Sequence, residues 1–332
     1  MERTPSRIDP LHRLLGWMGE HHFHKRSRWL WKLVRLALLI GLGYSLLYPL
    51  LFLASNAIKP VYQNYDPSVI WIPRSTTMKN FYDAIKVMAY WKSLNTTLLV
   101  SVASAILQIV STVLVGYGFA RFRFRFRGLL FALVILTIIV PPQTIAIPNY
   151  MLFRNFDLFG LLRLVPGLTG GKGFINLINS PFAFYLPAIL ASGLKGGIFI
   201  FVFRQFFRGM PRELEDAAAI DGCSFFQTFL RVMLPNAGAA MLTVFLFSIV
   251  WYWNDFYAPS MLMSTNWTLS VALAAAKSNM NMLPEVGASM DMYLLTTRIQ
   301  AACLMTIAPL LLLYVVAQRY FTESIERTGI VG

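Results

Sequence analysis

The chain has 332 residues, 57% of them hydrophobic and 13% charged, with a formal net charge of +14. An ordinary soluble domain carries about 25% charged residues, so water is excluded as the solvent for most of this chain. The cations sit mostly between apolar runs instead of forming a soluble patch, which argues against a nucleic-acid surface and for a membrane orientation signal.

Residues 1–32 are polar and basic, with no apolar core followed by a cleavage site, and read as a retained cytoplasmic extension. His21, His22 and His24 read as part of that solvated extension, not as metal ligands. A bilayer span needs roughly 20 mainly apolar residues, because backbone polar groups cannot stay unpaired in hydrocarbon. The first such run is Leu33–Ala54, preceded by Lys25, Arg26, Arg28 and Lys32. Ser55–Lys92 follows as an outer loop, broken by Pro60, Pro67 and Pro73, with Trp71, Tyr90 and Trp91 suited to a membrane boundary.

Leu94–Ala120 is the second predicted span. The alternating run Arg121–Arg127 then reads as a short interfacial turn, rings in lipid and cations toward the cytoplasm. The third span, Leu129–Pro148, should bend or end at Pro141-Pro142. Asn149–Asn179 is irregular and Gly-rich; within it Gly167–Lys172 approximates a phosphate loop, but the spacing is one residue short and Gly173 stands where Ser or Thr would meet magnesium. The chain is therefore not expected to be its own ATPase.

Span four, Pro181–Phe207, is interrupted by Gly193, Lys195, Gly196 and Gly197. Spans five and six are Ala237–Met263 and Ile299–Tyr320, separated by a polar outer stretch, Ser264–Thr297, and followed by a cytoplasmic tail, 321–332. The expected fold is all-α: a polytopic membrane protein whose transmembrane region, 33–320, has about six spans. Inner loops of this topology hold seventeen Lys and Arg against ten in the longer outer loops, which places both termini inside. Cys223 and Cys303 lie far apart in unlike surroundings and suggest neither a disulfide nor a metal site.

The inner loop 208–236 is built as helix, turn and helix. Pro211 suits a first helical turn, Glu213, Glu215 and Asp216 favour the positive end of its dipole, and Ala217–Ala219 combine high helix propensity with a small profile. Gly222 would end that helix. Phe225, Phe226, Phe229 and Leu230 recur at helical spacing and are expected to anchor the second piece on the bundle. An acidic, alanine-rich helix of this kind suits reception by another protein's groove.

Polar residues within spans often line a path. Asn95, Gln108, Gln143, Asn254 and Asp255 are candidates, against interfacial positions at helix ends for Asn95, Asn254 and Asp255. Trp251, Tyr252 and Trp253 are candidates for stacking on a sugar ring, against an ordinary interfacial belt. Lys195 would attract an anionic group, or else reach water through the Gly193–Gly197 break. No cluster of acids or histidines supports a membrane enzyme, and no related halves support a secondary transporter.

Asp216-Ala217-Ala218, Gly222, then Val232, Leu234 and Pro235 fall at the spacing of the cytoplasmic signature of permease subunits of binding-protein-dependent ABC importers, with Asp216 in place of Glu. The chain resembles that family. Asn80-Phe81, Gly116–Arg121, Pro141, Pro148–Tyr150, Arg204–Phe207, Trp253–Phe256 and Gln318–Phe321 narrow the resemblance to the carbohydrate branch of maltose-permease type, over roughly residues 30–332. The resemblance implies a type I importer permease fold, with Glu213, Glu215, Asp216, Ala217, Ala218, Asp221, Gly222 and Pro235 in the loop that couples to an ATPase. It also implies two ATPase subunits that bind ATP and magnesium, a homologous second permease, an extracytoplasmic solute-binding protein, and a prokaryotic cytoplasmic membrane. On that basis this chain binds no cofactor and catalyses nothing; its cargo is a sugar or oligosaccharide, the alternatives being an anionic sugar or a secondary transporter.

Overall fold

The computed structural model describes residues 10–158, 160–164, 172–282 and 292–329. The side chains of His21, His22 and His24, and residues Gly167–Gly171, lie outside the described part. The helices in chain order are α1 (Pro10–Ile58), α2 (Lys79–Val87), α3 (Tyr90–Arg121), α4 (Arg127–Ile139), α5 (Ala146–Arg154), α6 (Phe182–Ile189) and α7 (Gly196–Gly209). They continue as α8 (Glu213–Ile220), α9 (Phe225–Asn236, with a π-helical turn at Phe229–Met233), α10 (Gly238–Asn254), α11 (Tyr257–Leu262), α12 (Leu269–Asn281) and α13 (Met292–Gly329).

Trp29–Ile58, Tyr90–Arg121 and Tyr293–Arg319 are each long and apolar enough to cross a bilayer. Two further pairs reach that standard only as bent units: α4 with Pro142–Arg154, bent by 99°, and α9 with α10, bent by 73°. The first bend falls at Pro141-Pro142, where proline removes backbone donors. The predicted fourth span is divided into α6 and α7. The predicted fifth span stops at Asn254, because Asp255 turns the chain and its carboxylate Oδ1 accepts from the amides of Tyr257 and Ala258 at 3.0 and 3.4 Å.

Helix α3 is the hub, packed against α6, α7 and α10. Its inner face carries Thr97, Ser101, Ser104, Gln108 and Thr112, all fully buried, while Leu98, Leu99, Ile106, Val110 and Leu114 face outward. This inverts the pattern of a soluble helix, and it follows from lipid as solvent: apolar side chains need no burial there, while small polar ones let helices approach closely. A Cβ on Gly116 would stand 2.5 Å from the Phe203 Cβ of α7, so glycine sets that approach. Phe199, Phe203 and Phe207, four residues apart, form one buried face of α7 and join Tyr117, Phe229, Met233 and Val244 in an apolar cluster.

Two helices arise in segments expected to be loops. Within the polar stretch 264–297, α12 buries Leu269, Ala272, Ala276 and Met280 in a second cluster with Trp253, Ala301 and Ala302. Between α1 and α3, α2 inserts Ala84 into the same cluster and is tied to α13 by the ion pair between Arg298 Nε and the Asp83 carboxylate at 2.5 Å. Both helices have their apolar residues at three- and four-residue spacing, a signal too short to outweigh their polar flanks.

Candidate functional site

The inner-loop segment forms a compact elbow. Helix α8 begins with three acids in its first turn and ends at Gly222, whose φ of +81° lies in the left-handed region natural to glycine. Ser224 then opens α9 with a reciprocal cap: its hydroxyl accepts from the Gln227 amide, and the Gln227 side chain accepts from the Ser224 amide. Leu234-Pro235-Asn236 closes α9 at the 73° bend, and the missing proline donor there accompanies the π-helical turn.

The two faces of α8 differ. Ala218 is buried, and the Glu215 carboxylate is turned onto the bundle, where it accepts from the Tyr117 hydroxyl at 2.8 Å and lies 3.5 Å from Arg121 Nε. Arg121 in turn donates through Nη2 to the Met210 carbonyl at 2.8 Å. The other face exposes Glu213, Asp216, Ala217, Ile220, Asp221 and Gly222. Ile220 is 87% exposed, and the neighbouring Phe225 is 82% exposed.

Two sequence expectations are corrected here. Of the four apolar residues expected to anchor α9, Phe229 is buried, but Phe225, Phe226 and Leu230 are exposed, because α9 meets the bundle along Thr228, Phe229 and Met233. Of the arginines in the interfacial turn, Arg121 points inward to Glu215, and Arg127 donates to the Phe119 and Ala120 carbonyls at the end of α3. Phe122, Phe124 and Phe126 are exposed.

A cavity of about 580 Å³ lies farther along the bundle, between α4, α5, α6, α7 and the α10–α11 corner. Its walls are largely apolar, with Thr137, Asn149, Ser192, Lys195, Tyr252, Asp255 and Tyr257 as polar contributors. Lys195 stands at the α6–α7 break with φ +60°. The break is held by side chains from distant helices. Gln108 Nε2 donates to the Leu194 carbonyl at 2.8 Å, the Tyr252 hydroxyl donates to Gln108 Oε1 at 2.8 Å, and the Leu194 amide donates to that hydroxyl at 3.1 Å. Ser111 adds a hydrogen bond to the Ala188 carbonyl at 2.5 Å. Irregular backbone at membrane depth persists where such groups satisfy it. Gly193 and Gly196 make the crossing possible, since a Cβ at either would meet the Tyr252 hydroxyl or the Ala191 carbonyl within 2.5 Å.

The structure thus gathers Lys195, Tyr252 and Asp255 of the sequence candidates around one cavity and leaves the others outside it. Gln143 and Asn95 are exposed, Asn254 donates to the Val250 carbonyl of its own helix at 2.9 Å, and Trp251 packs on Phe199 at 5.2 Å between ring centroids. Trp253 donates to the Thr306 carbonyl at 3.1 Å. Gln108 does not line the cavity but supports the α6–α7 break. Thr137 and Asn149, missed in the sequence, carry no local signal that separates them from other polar residues at span ends.

Residues 112–327 match the family model described as binding-protein-dependent transport system inner membrane component. Among curated relatives, the chain is 28% identical to the arabinooligosaccharides transport system permease protein AraQ of Halalkalibacterium halodurans, over 90% of this chain and 97% of that protein. It is 27% identical to the diacetylchitobiose uptake system permease protein NgcG of Streptomyces coelicolor, over 88% and 86%. It is also 27% identical to the lactose transport system permease protein LacG of Rhizobium radiobacter, over 74% and 76%. The fold resembles that of a chain from the crystal structure of a bacterial ABC transporter involved in the import of the acidic polysaccharide alginate, with a TM-score of 0.69, 21% identity, and 89% and 98% of the two chains covered.

Proposed function

Because the chain belongs to the family of binding-protein-dependent transport system inner membrane components, we propose that it is the non-catalytic permease subunit of an ATP-driven importer for a sugar or oligosaccharide. The named cargoes of its relatives, arabinooligosaccharides, diacetylchitobiose and lactose, support the carbohydrate class. The observation that carries the mechanism is the two-faced elbow: an outward face of acids, small residues and exposed Ile220 and Phe225, on a helix braced to α3 through Glu215.

In this reading the outward face of α8 enters a groove on one of two ATPase subunits, which bind ATP and magnesium. The inward face passes the displacement to the C-terminal end of α3, and α3 carries it to α6, α7 and α10 around the cavity. A rigid strut moving a packed bundle between two arrangements is sufficient for alternating access. Lys195, Tyr252 and Asp255 are proposed to border the sugar's path, delivered from an extracytoplasmic binding protein. A homologous second permease completes the pore, in a prokaryotic cytoplasmic membrane with the elbow and both chain ends inside.

The test is cysteine cross-linking at Ala217 in membranes that contain the assembled transporter. A product with the ATPase subunit, together with protection of this position from an impermeant thiol reagent added outside the cell, is expected. Labelling from the outside, or the absence of an ATPase cross-link in a complex that still hydrolyses ATP, would overturn the reading.

A further inference from the structure

We propose that the elbow end of α3, α4 and α7 holds the phosphate of one anionic phospholipid, bound by Arg127, Arg204 and Arg208. Arg204, on α7, lays its guanidinium over the Phe131 ring of α4 at 3.8 Å from the centroid. Stacking fixes the plane of the group and leaves its N–H edge as the remaining polar surface. Among the described residues its Nε is buried without a hydrogen-bond partner, and its Nη1 reaches only the Gln205 side chain, at 3.4 Å.

The neighbouring charges that act on Arg204 are themselves positive, Arg208 and Arg127. Among the described residues, none of the three has a carboxylate within ion-pair distance. Arg127 is fixed in place by its hydrogen bonds to the Phe119 and Ala120 carbonyls. Three like charges converging at the edge of an apolar bundle, one with a desolvated donor, are unfavourable without a counter-ion. A phosphate matches the set, because its oxygens accept paired guanidinium hydrogen bonds.

The surroundings select a lipid as the source. From Arg127 the exposed face of α4 continues as Leu129, Leu130, Leu133 and Leu136, and Phe124 and Phe126 project from the turn below it. Acyl chains would lie along the leucines with the headgroup at the arginines, the arrangement of basic pockets between membrane helices that hold anionic headgroups.

The experiment uses the assembled transporter in nanodiscs of mixed phosphatidylglycerol and phosphatidylcholine, with lipids retained after detergent extraction counted by native mass spectrometry. Retention of one phosphatidylglycerol per copy is expected. Arg204→Gln and Arg208→Gln should each lower it about fivefold, with Arg204→Lys intermediate and Arg231→Gln unchanged. Arg208 is exposed, so Arg208→Gln remains decisive where Arg204→Gln fails to assemble. Equal retention of both lipids, or undiminished retention in the Gln variants, would overturn the proposal. So would shielding of Arg208 from arginine-modifying reagent in delipidated complex, which would mean that a partner protein covers the cluster. None of these readouts depends on transport.

Discussion

The Tyr117 hydroxyl donates to the Glu215 carboxylate across 2.8 Å, joining the end of α3 to the elbow helix α8 over 98 residues of sequence. Arg121, one turn farther along α3, sets a positive charge 3.5 Å from the same carboxylate. Side chains of Arg121 and Glu215 are 7% and 22% exposed, so the contact is largely shielded from water. A hydrogen bond to a charged acceptor in such a place contributes about 1.5–3 kcal/mol. Tyr117→Phe should therefore speed hydrogen exchange of the α8 amides by about tenfold or more while leaving those of α10 unchanged. Equal exchange in α8 would mean that the contact does not hold the elbow.

Gly222 separates a backbone requirement from a steric one. Its φ is +81°, yet among the described residues nothing lies within 4 Å of the position a Cβ would take. Gly222→Ala should cost about 1 kcal/mol of thermal stability, the left-handed penalty, and Gly222→Asn less. Gly222→Trp should destabilise the isolated chain no further than Ala does, but should abolish sugar-stimulated ATP hydrolysis in the complex. Normal coupling in the Trp variant would remove Gly222 from the docking face.

The support of the α6–α7 break is open to a direct test. Gln108→Leu leaves the Leu194 carbonyl without its donor and the Tyr252 hydroxyl without its acceptor, while that hydroxyl still accepts from the Leu194 amide. Each unsatisfied group costs about 1–3 kcal/mol, so a clear drop in melting temperature is expected. Tyr252→Phe should cost about as much, since it too removes two of the three bonds, orphaning Gln108 Oε1 and the Leu194 amide and leaving only the Gln108 to Leu194 bond. A melting temperature unchanged by Gln108→Leu would show that the break is held by packing alone.

Pro309 interrupts α13 and leaves the Met305 carbonyl without its helical donor. The Tyr90 hydroxyl donates to that carbonyl at 3.1 Å. Tyr90→Phe is expected to lose about 1 kcal/mol in the native background and nearly nothing beside Pro309→Ala, where the restored amide supplies the bond. Additive effects in the double-mutant cycle would disprove the compensation.

The loop after α1 should respond to acid. Asp66 Oδ1 accepts from the Ser68 hydroxyl at 2.6 Å and amide at 2.9 Å, and Arg74 lies 3.2 Å from Oδ2, which together hold its pKa below the usual carboxylate value. A depressed carboxylate pKa gives order that is present above the ordinary carboxylate range and lost as pH falls through the lowered value. Emission from Trp71 of that loop, which packs on Tyr48 of α1 at 4.7 Å, should change only below about pH 4. Asp66→Asn should remove that transition.

The membrane as solvent, the positions of the apolar runs, the proline bend at Pro141-Pro142 and the helix–turn–helix of the elbow were all readable in the sequence. Each depends on interactions within a few residues: hydropathy over one span, a missing amide, a dipole, a left-handed glycine. The elbow's capping box and its Gly222 stop are local in the same way.

What only the tertiary structure decided lies between residues far apart in the chain. The adjacent acids Glu215 and Asp216 read alike in sequence, yet helical geometry turns one onto Tyr117 and Arg121 and the other outward. Helix α12 exists because Trp253 and α13 bury its apolar side, and the α6–α7 break persists because Gln108, Ser111 and Tyr252 satisfy its backbone. Those partners stand 58 to 86 residues from the groups they satisfy at the break. Periodicity records which side of a helix is apolar, whereas the identity of the group that meets it is fixed only when the helices pack.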